Sequence, residues 1–299
     1  MEEDTVAEPT SMYSNLYKCR GLTQEMSQQQ RRMDFLKKQK ERRHQITDEN
    51  RKICELLLND MCFDEETMQW DSVTPRSKRK KVVFKLMHSE WFTDIPDDLE
   101  ENWLTKFAPE GLRVLLIATR GHTNCYNTKG RYYFNLKSGF PGGHKRMHDC
   151  LFWNSLSMLD SEAQFRFFWL KSKFDEMPDL AQHGHIQFIL LHHFPAEKSM
   201  MQEIMSEQTI VKDQKLPYDG VVFYHKESHY FFGYTPLVGW LASYMLPEQL
   251  NIDVPPENMA RKPADYENME KYLEDLEKRK KKRHKSWRKK HNVVDEEML

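Results

Sequence analysis

Apolar residues along the chain change their spacing three times. Between Tyr17 and Arg43 they are sparse, and Met26, Met33, Phe35 and Leu36 make only a thin stripe. The rest of 17–58 is rich in Gln, Lys, Arg and Glu and nearly free of Gly and Pro after Gly21, which predicts a helix. So narrow an apolar face cannot anchor a core, and the expectation is a solvated helix that waits for an acidic partner. From about residue 82 short strand-like runs take over. Arg113–Thr119, Arg131–Leu136, Ile186–Phe194 and Asp219–His225 read as strands. His229–Phe232 would close a hairpin over Lys226-Glu227-Ser228, Thr235–Trp240 is a strand or short helix, and Glu197–Gln208 reads as a helix. Strands with few helices between them predict an α+β, mainly antiparallel domain over 82–250. From 256 to 299 the pattern is helical again.

This divides the 299 residues into a tail (1–16), a basic helix (17–58), a linker (59–81), a folded domain (82–250) and a helical basic tail (251–299). Hydrophobic residues at 39% and aromatics at 12% are enough for one core and exclude a wholly disordered chain. The net charge of −1 hides strong local blocks. Residues 17–43 hold nine basic side chains against three acidic ones. The linker runs from clustered acids to Pro75-Arg-Ser-Lys-Arg-Lys-Lys81, and ten of the thirteen residues from Lys278 to Lys290 are Lys or Arg. Such blocks self-repel and read as exposed segments, the last with a nonspecific attraction to RNA phosphates. Met1-Glu-Glu-Asp4 is acidic and opens no secretory signal, and no apolar run nears the length that spans a bilayer, so no membrane association is expected. Five scattered cysteines without C-x-x-C argue against a disulfide framework or a Cys-based zinc site and fit a reducing compartment.

Candidate chemistry is thin. G-x-x-x-x-G-K-[ST], G-x-S-x-G and H-E-x-x-H are all absent. Eight of the thirteen histidines crowd into 144–229 without metal-ligand spacing, although His225 and His229 flank the predicted turn. No catalytic residue, metal or cofactor is assigned. Two tryptophans stand out instead: Trp91 in His88–Pro96 and Trp240 in Thr235–Leu241, each beside Ser, Pro or Gly. A tryptophan at a loop edge can present its face to a base, or it can be ordinary core.

Seven motifs, taken in order, resemble the snurportin family of import adaptors for spliceosomal small nuclear ribonucleoproteins. They are Ser89-Glu-Trp91, Asp94-Ile-Pro-Asp-Asp-Leu99, Ala118-Thr-Arg-Gly121, Phe140-Pro-Gly-Gly143, Phe165-Arg-Phe-Phe-Trp169, Asp219–Lys226 and Thr235–Leu241. The resemblance is strong over 82–250 and weaker over 13–58. It implies a domain related to the nucleotidyltransferase fold of messenger-RNA capping enzymes that binds the 2,2,7-trimethylguanosine cap of U-type small nuclear RNAs without reacting. Capping enzymes carry guanylate on the lysine of K-x-D-G, a motif this chain lacks, while Asp219-Gly220-Val-Val looks like a surviving later motif of that fold. Carried over residue by residue, Trp91 and Trp240 match the two cap-contacting tryptophans. Ser89 matches a further cap contact, Arg113 a basic residue near the triphosphate, and Thr128 the second phosphate-side position, with Lys129 one residue on. A 7-methylated guanine is cationic, so an indole face attracts it beyond plain stacking.

The resemblance also implies an importin-β-binding helix, with Arg31, Arg32, Lys37, Lys38 and Lys40 as receptor contacts. Gln28-Gln29-Gln30 dilutes its basic core, which points to weaker importin-β binding or to another importin. Implied with it are trimethylguanosine-capped U snRNA and its ribonucleoprotein as cargo, an export receptor, and shuttling between cytoplasm and nucleus. The stretch between Pro141-Gly-Gly143 and Phe165 is shorter than in the family, so one strand is expected to be missing. An RNA guanylyltransferase or ligase-like enzyme, and a basic RNA-binding scaffold, are the alternatives.

Overall fold

Residues 27–41, 86–119, 122–128, 131–136, 152–153, 156–176, 182–183, 186–187, 189–207 and 218–290 are described by the computed structural model. The 1–16 tail, the 59–81 linker, Lys129 and residues 148–151 lie outside them. In chain order the elements are α1 (Gln28–Glu41), β1 (Met87–Trp91), α2 (Leu99–Asn102), β2 (Trp103–Pro109), β3 (Val114–Thr119), β4 (His122–Asn127) and β5 (Tyr132–Leu136). They continue through β6 (Phe152–Trp153), β7 (Leu156–Ser157), α3 (Ala163–Glu176), β8 (Gln182–His183), β9 (Ile186–Gln187) and β10 (Phe194–Pro195). After α4 (Lys198–Glu207) come β11 (Tyr218–His225), β12 (Gly233–Ala242), a 3-10 turn at Ser243–Met245, α5 (Leu246–Leu250), α6 (Pro256–Met259) and α7 (Met269–Lys290).

The fold is α+β and mainly antiparallel. Its central sheet runs β1-β12-β11-β2-β10, with only β1 and β12 parallel. Alternation along β11 feeds two cores. Val221 and Phe223 join Phe92, Phe107 and Leu241 on one face, covered by Met201 and Met205 of α4, Leu246 and Leu250 of α5, and Met269 and Leu273 of α7. Tyr224, with half-buried Val222 packed alongside, turns to the other face and meets Leu104, Val238 and, from α3, Ala163 and Phe167. The strands β3-β4-β5 form a separate antiparallel sheet.

The structure departs from several expectations. Residues 251–276 are no tail: Ile252, Tyr266, Met269 and Leu273 are buried in the first core with Leu276 against it. His229–Phe232 is not the second arm of a hairpin, since β12 starts at Gly233. In the run expected as one strand over 186–194, Ile186–Gln187 and Phe194 are the ones in ladders among the described residues. Pro195 does not end the last of these but pairs with Leu104 as part of β10. Proline is tolerated there because β10 is the sheet edge and needs no outward N–H. In the shortened stretch, Phe152–Trp153 pairs with Leu156–Ser157 in a two-residue ladder.

Candidate functional site

The ladder between β1 and β12 is irregular. Met87, His88 and Ser89 pair with Gly233, Tyr234 and Thr235. The partner strand then skips Pro236, Leu237 and Val238 before Glu90 pairs with Gly239 and Trp91 with Trp240. Pro236 has no N–H for a ladder, and Leu237 N–H turns back to the Thr235 hydroxyl at 3.3 Å. The bulge brings the two tryptophans into register on neighbouring strands, with Trp91 packed against the first core. The row continues through Val222 on β11 to Lys106 on β2. Trp91 and Trp240 are both half-buried.

Each ring has its own support. The Trp240 six-membered ring lies over Gly220, where an added Cβ would come 2.9 Å from Cη2 and 2.2 Å from the Leu241 carbonyl oxygen. Glycine at 220 is thus what lets the indole lie against β11. At Gly239 an added Cβ would strike the Phe92 ring at 2.4 Å, so that glycine lets the strand after Trp91 close onto the core. The Trp91 ring meets Tyr272 of α7 edge-on, 6.1 Å between centroids. Ser89 is half-buried, two residues before Trp91. Arg113 is exposed just before β3, and Thr128 just follows β4. Val114 pairs with Asn127, so Arg113 and Thr128 sit together at one end of the β3–β4 ladder.

Lys106 is 1% exposed, its ammonium 3.5 Å from the centre of the Phe167 ring. His193 also packs on Phe167, and burial first, then Lys106, His192 and Lys171, pull its pKa down to about 4. Lys106 does not stand out in sequence, since a lysine inside an apolar strand has no motif, and the motif that holds Gly220 does not show that the backbone and the Trp240 ring of the next strand crowd it. His225 is buried edge-on to Trp103 at 5.3 Å, and burial lowers its pKa.

The five cations expected to meet a receptor are divided between two faces of α1. Lys37, Lys38 and Lys40 are exposed. Arg31 and Arg32 are 5% and 4% exposed, which corrects the expectation of a solvated helix. Arg31 donates to Glu90 at 2.7 Å. Arg32 donates to the carbonyls of Asp94 at 2.5 Å and Pro236 at 3.4 Å and to the Gln28 amide oxygen at 2.8 Å, and lies over Phe92 and Trp103 at 4.9 and 5.2 Å. Burial lowers the Arg32 pKa to about 10, against the pull of Asp94 and Glu90, so it is fully cationic at neutral pH. The diluting glutamines are structural: Gln28 is 4% exposed and donates to the Trp91 carbonyl at 2.9 Å. The helix was legible, but its docking stripe was not, because it is polar.

Among solved structures the fold is similar to the ligase domain of M. tuberculosis LigD, at 11% identity and a TM-score of 0.38, over 54% of this chain and 59% of that one. It is likewise similar to the Chlorella virus DNA ligase-adenylate, at 11% identity and a TM-score of 0.34, over 53% of this chain and 69% of that one. The sequence matches the family described as Snurportin1, m3G cap-binding domain, over residues 85–150 and 146–243, more than half of the chain. Both tryptophans, Ser89, Arg113 and Thr128 fall within the matched residues, and the chain belongs to the snurportin family through this m3G cap-binding domain.

Proposed function

We propose that the protein is a noncatalytic nuclear import adaptor that grips the trimethylguanosine cap of U snRNAs between Trp91 and Trp240 and links the ribonucleoprotein to an import receptor. The reading rests above all on one observation, the paired register of the two half-buried tryptophans within a matched m3G cap-binding domain. Ser89 contributes a hydroxyl beside the base. Arg113 and Thr128, with Lys129 beside them in the sequence, meet the triphosphate, where a guanidinium makes charge-assisted hydrogen bonds. The N2 methyls of the cap remove donors and add apolar area, which a second indole edge rewards. Lys37, Lys38 and Lys40 offer an importin a cationic face on α1, and the chain shuttles between cytoplasm and nucleus.

The absence of K-x-D-G, the motif whose lysine carries the nucleotide in capping enzymes, supports a noncatalytic role. Tryptophan fluorescence titration with trimethylated and monomethylated cap dinucleotides tests the reading: saturable binding that prefers the trimethylated cap is expected, and no binding of either overturns it. Incubation with labelled GTP or ATP tests the enzyme alternative, for which a covalent nucleotide adduct would be decisive.

A further inference from the structure

The helix α1 docks through one stripe, Gln28, Arg31, Arg32, Phe35 and Gln39, spaced as one face of a helix. At its far end Gln39 donates to the Glu227 carbonyl at 2.8 Å and accepts from His229 N–H at 2.9 Å, and Phe35 meets Phe231 edge-on at 5.2 Å. Its near end lies on the backbone that carries the tryptophans. Gln28 donates to the Trp91 carbonyl at 2.9 Å and to Glu90 at 3.2 Å, and accepts from Asp94 N–H at 3.2 Å. Arg32 joins the two strands, reaching the Asp94 carbonyl beyond β1 and the Pro236 carbonyl in the bulge of β12. That bulge is where the ladder between β1 and β12 is interrupted, so α1 supplies hydrogen bonds where the sheet has none.

We propose that Gln28 and Arg32 are positioning residues for the cap pocket, with α1 bracing the β1 end and the β12 bulge so that Trp91 and Trp240 keep their separation. This rests on the cap-binding reading above. It deepens that reading by making the receptor-binding helix part of the cap site. The brace uses the buried stripe and leaves Lys37 and Lys38 outward, while Lys40 pairs with Glu227 at 3.0 Å, so an acidic receptor surface can take the two exposed lysines without displacing it. Because the docked helix favours the bound geometry, cap binding must in turn favour docking, since coupling between two sites is reciprocal.

Two measurements on the full chain test this. In the first, trimethylated cap dinucleotide is titrated against the unaltered protein, Gln28→Ala and Gln39→Ala, with thermal midpoints in parallel. Both variants loosen α1, but Gln28→Ala, which touches the Trp91 backbone, should weaken cap binding by about tenfold, the equivalent of one buried hydrogen bond removed, and Gln39→Ala by much less. Equal cap affinity in Gln28→Ala and the unaltered chain overturns the brace alone, and so does an equal loss in Gln39→Ala, which would mark a purely structural role. If the unaltered chain binds no cap, the pocket reading falls and the brace with it. The second measurement needs no variant and serves if Gln28→Ala does not fold. Amide hydrogen exchange over 31–41 should slow when cap dinucleotide is added, and unchanged exchange at saturating cap overturns the brace.

Discussion

Arg31 and Glu90 form an ion pair at 2.7 Å whose side chains are 6% and 2% exposed. It ties a helix from the N-terminal segment to the strand that carries Trp91. Two charges out of water are held best as a pair, so removing one takes from the other its ionic partner. Glu90→Leu is expected to cost about 3–5 kcal/mol. The double variant Arg31→Met with Glu90→Leu, which removes both charges, should recover much of that loss. Urea unfolding of the four proteins checks it, and single and double losses that simply add would show that the pair is not coupled.

The crossing of Trp240 over Gly220 leads to a paired prediction. Trp240→Ala should weaken trimethylguanosine-cap binding by about 1–3 kcal/mol, the range for one base on one aromatic platform. Gly220→Ala should weaken it too, with the tryptophan still present, because the new methyl would have to push the ring off β11. It should also lower the melting temperature, since the same Cβ would collide with the Leu241 carbonyl oxygen. Fluorescence titration and thermal melts on both variants decide it. Full cap affinity in either one removes Trp240 from the pocket.

How much of this is legible in the sequence differs from element to element. β11 is readable because its buried run is bounded by turn residues, and Trp91 and Trp240 stand out as neighbours of turn residues whatever element carries them. The interlock at Gly220 is not readable, since glycine there is required by the backbone of Leu241 and Ala242 and by the Trp240 ring, some twenty residues on. The docking of α1 is hidden for a different reason. Its buried stripe is mostly Gln and Arg, which every apolar-periodicity argument assigns to water, and burial becomes favourable only because Glu90 and the Asp94 and Pro236 carbonyls meet the charges. The core role of 251–276 is masked by the basic block that follows it, although Met269, Tyr272, Leu273 and Leu276 recur at helical spacing.

His193 makes stability depend on pH with a definite sign. Burial and the nearby Lys106 hold its native pKa at about 4, against about 6.5 in an unfolded chain. Between those values the unfolded chain binds the proton and the native one does not. The contribution is therefore complete above pH 6.5 and is lost as the pH falls towards 4. His192, lowered by burial and by Lys171, acts in the same direction. Thermal midpoints from pH 7.0 to 4.5 should fall more steeply for the unaltered protein than for His193→Gln. Parallel curves would exclude His193 as a source of the dependence.

The two halves of α7 should separate in a truncation series. Its first turns bury Met269 and Leu273 and place Tyr272 against Trp91, whereas Lys271 and Lys278 already pair with Glu267 and Glu274 at the surface. Ending the chain at 270 removes Leu273 from the core, a loss of about 2–5 kcal/mol for that side chain alone, and withdraws the ring beside Trp91. That truncation should damage folding and cap binding together. Ending it after Arg279 keeps Tyr272, Leu273 and Leu276 and removes most of the cations from the Lys278–Lys290 block. The shorter protein should fold and keep its preference for the trimethylated cap dinucleotide. Its affinity for a capped oligonucleotide should depend less on salt, the slope falling by about 0.7 for each phosphate that the tail no longer neutralises. Loss of dinucleotide binding after the Arg279 truncation would favour the basic scaffold over the tryptophan pocket, because it would show the tail cations, and not the indoles, holding the triphosphate-bridged ligand.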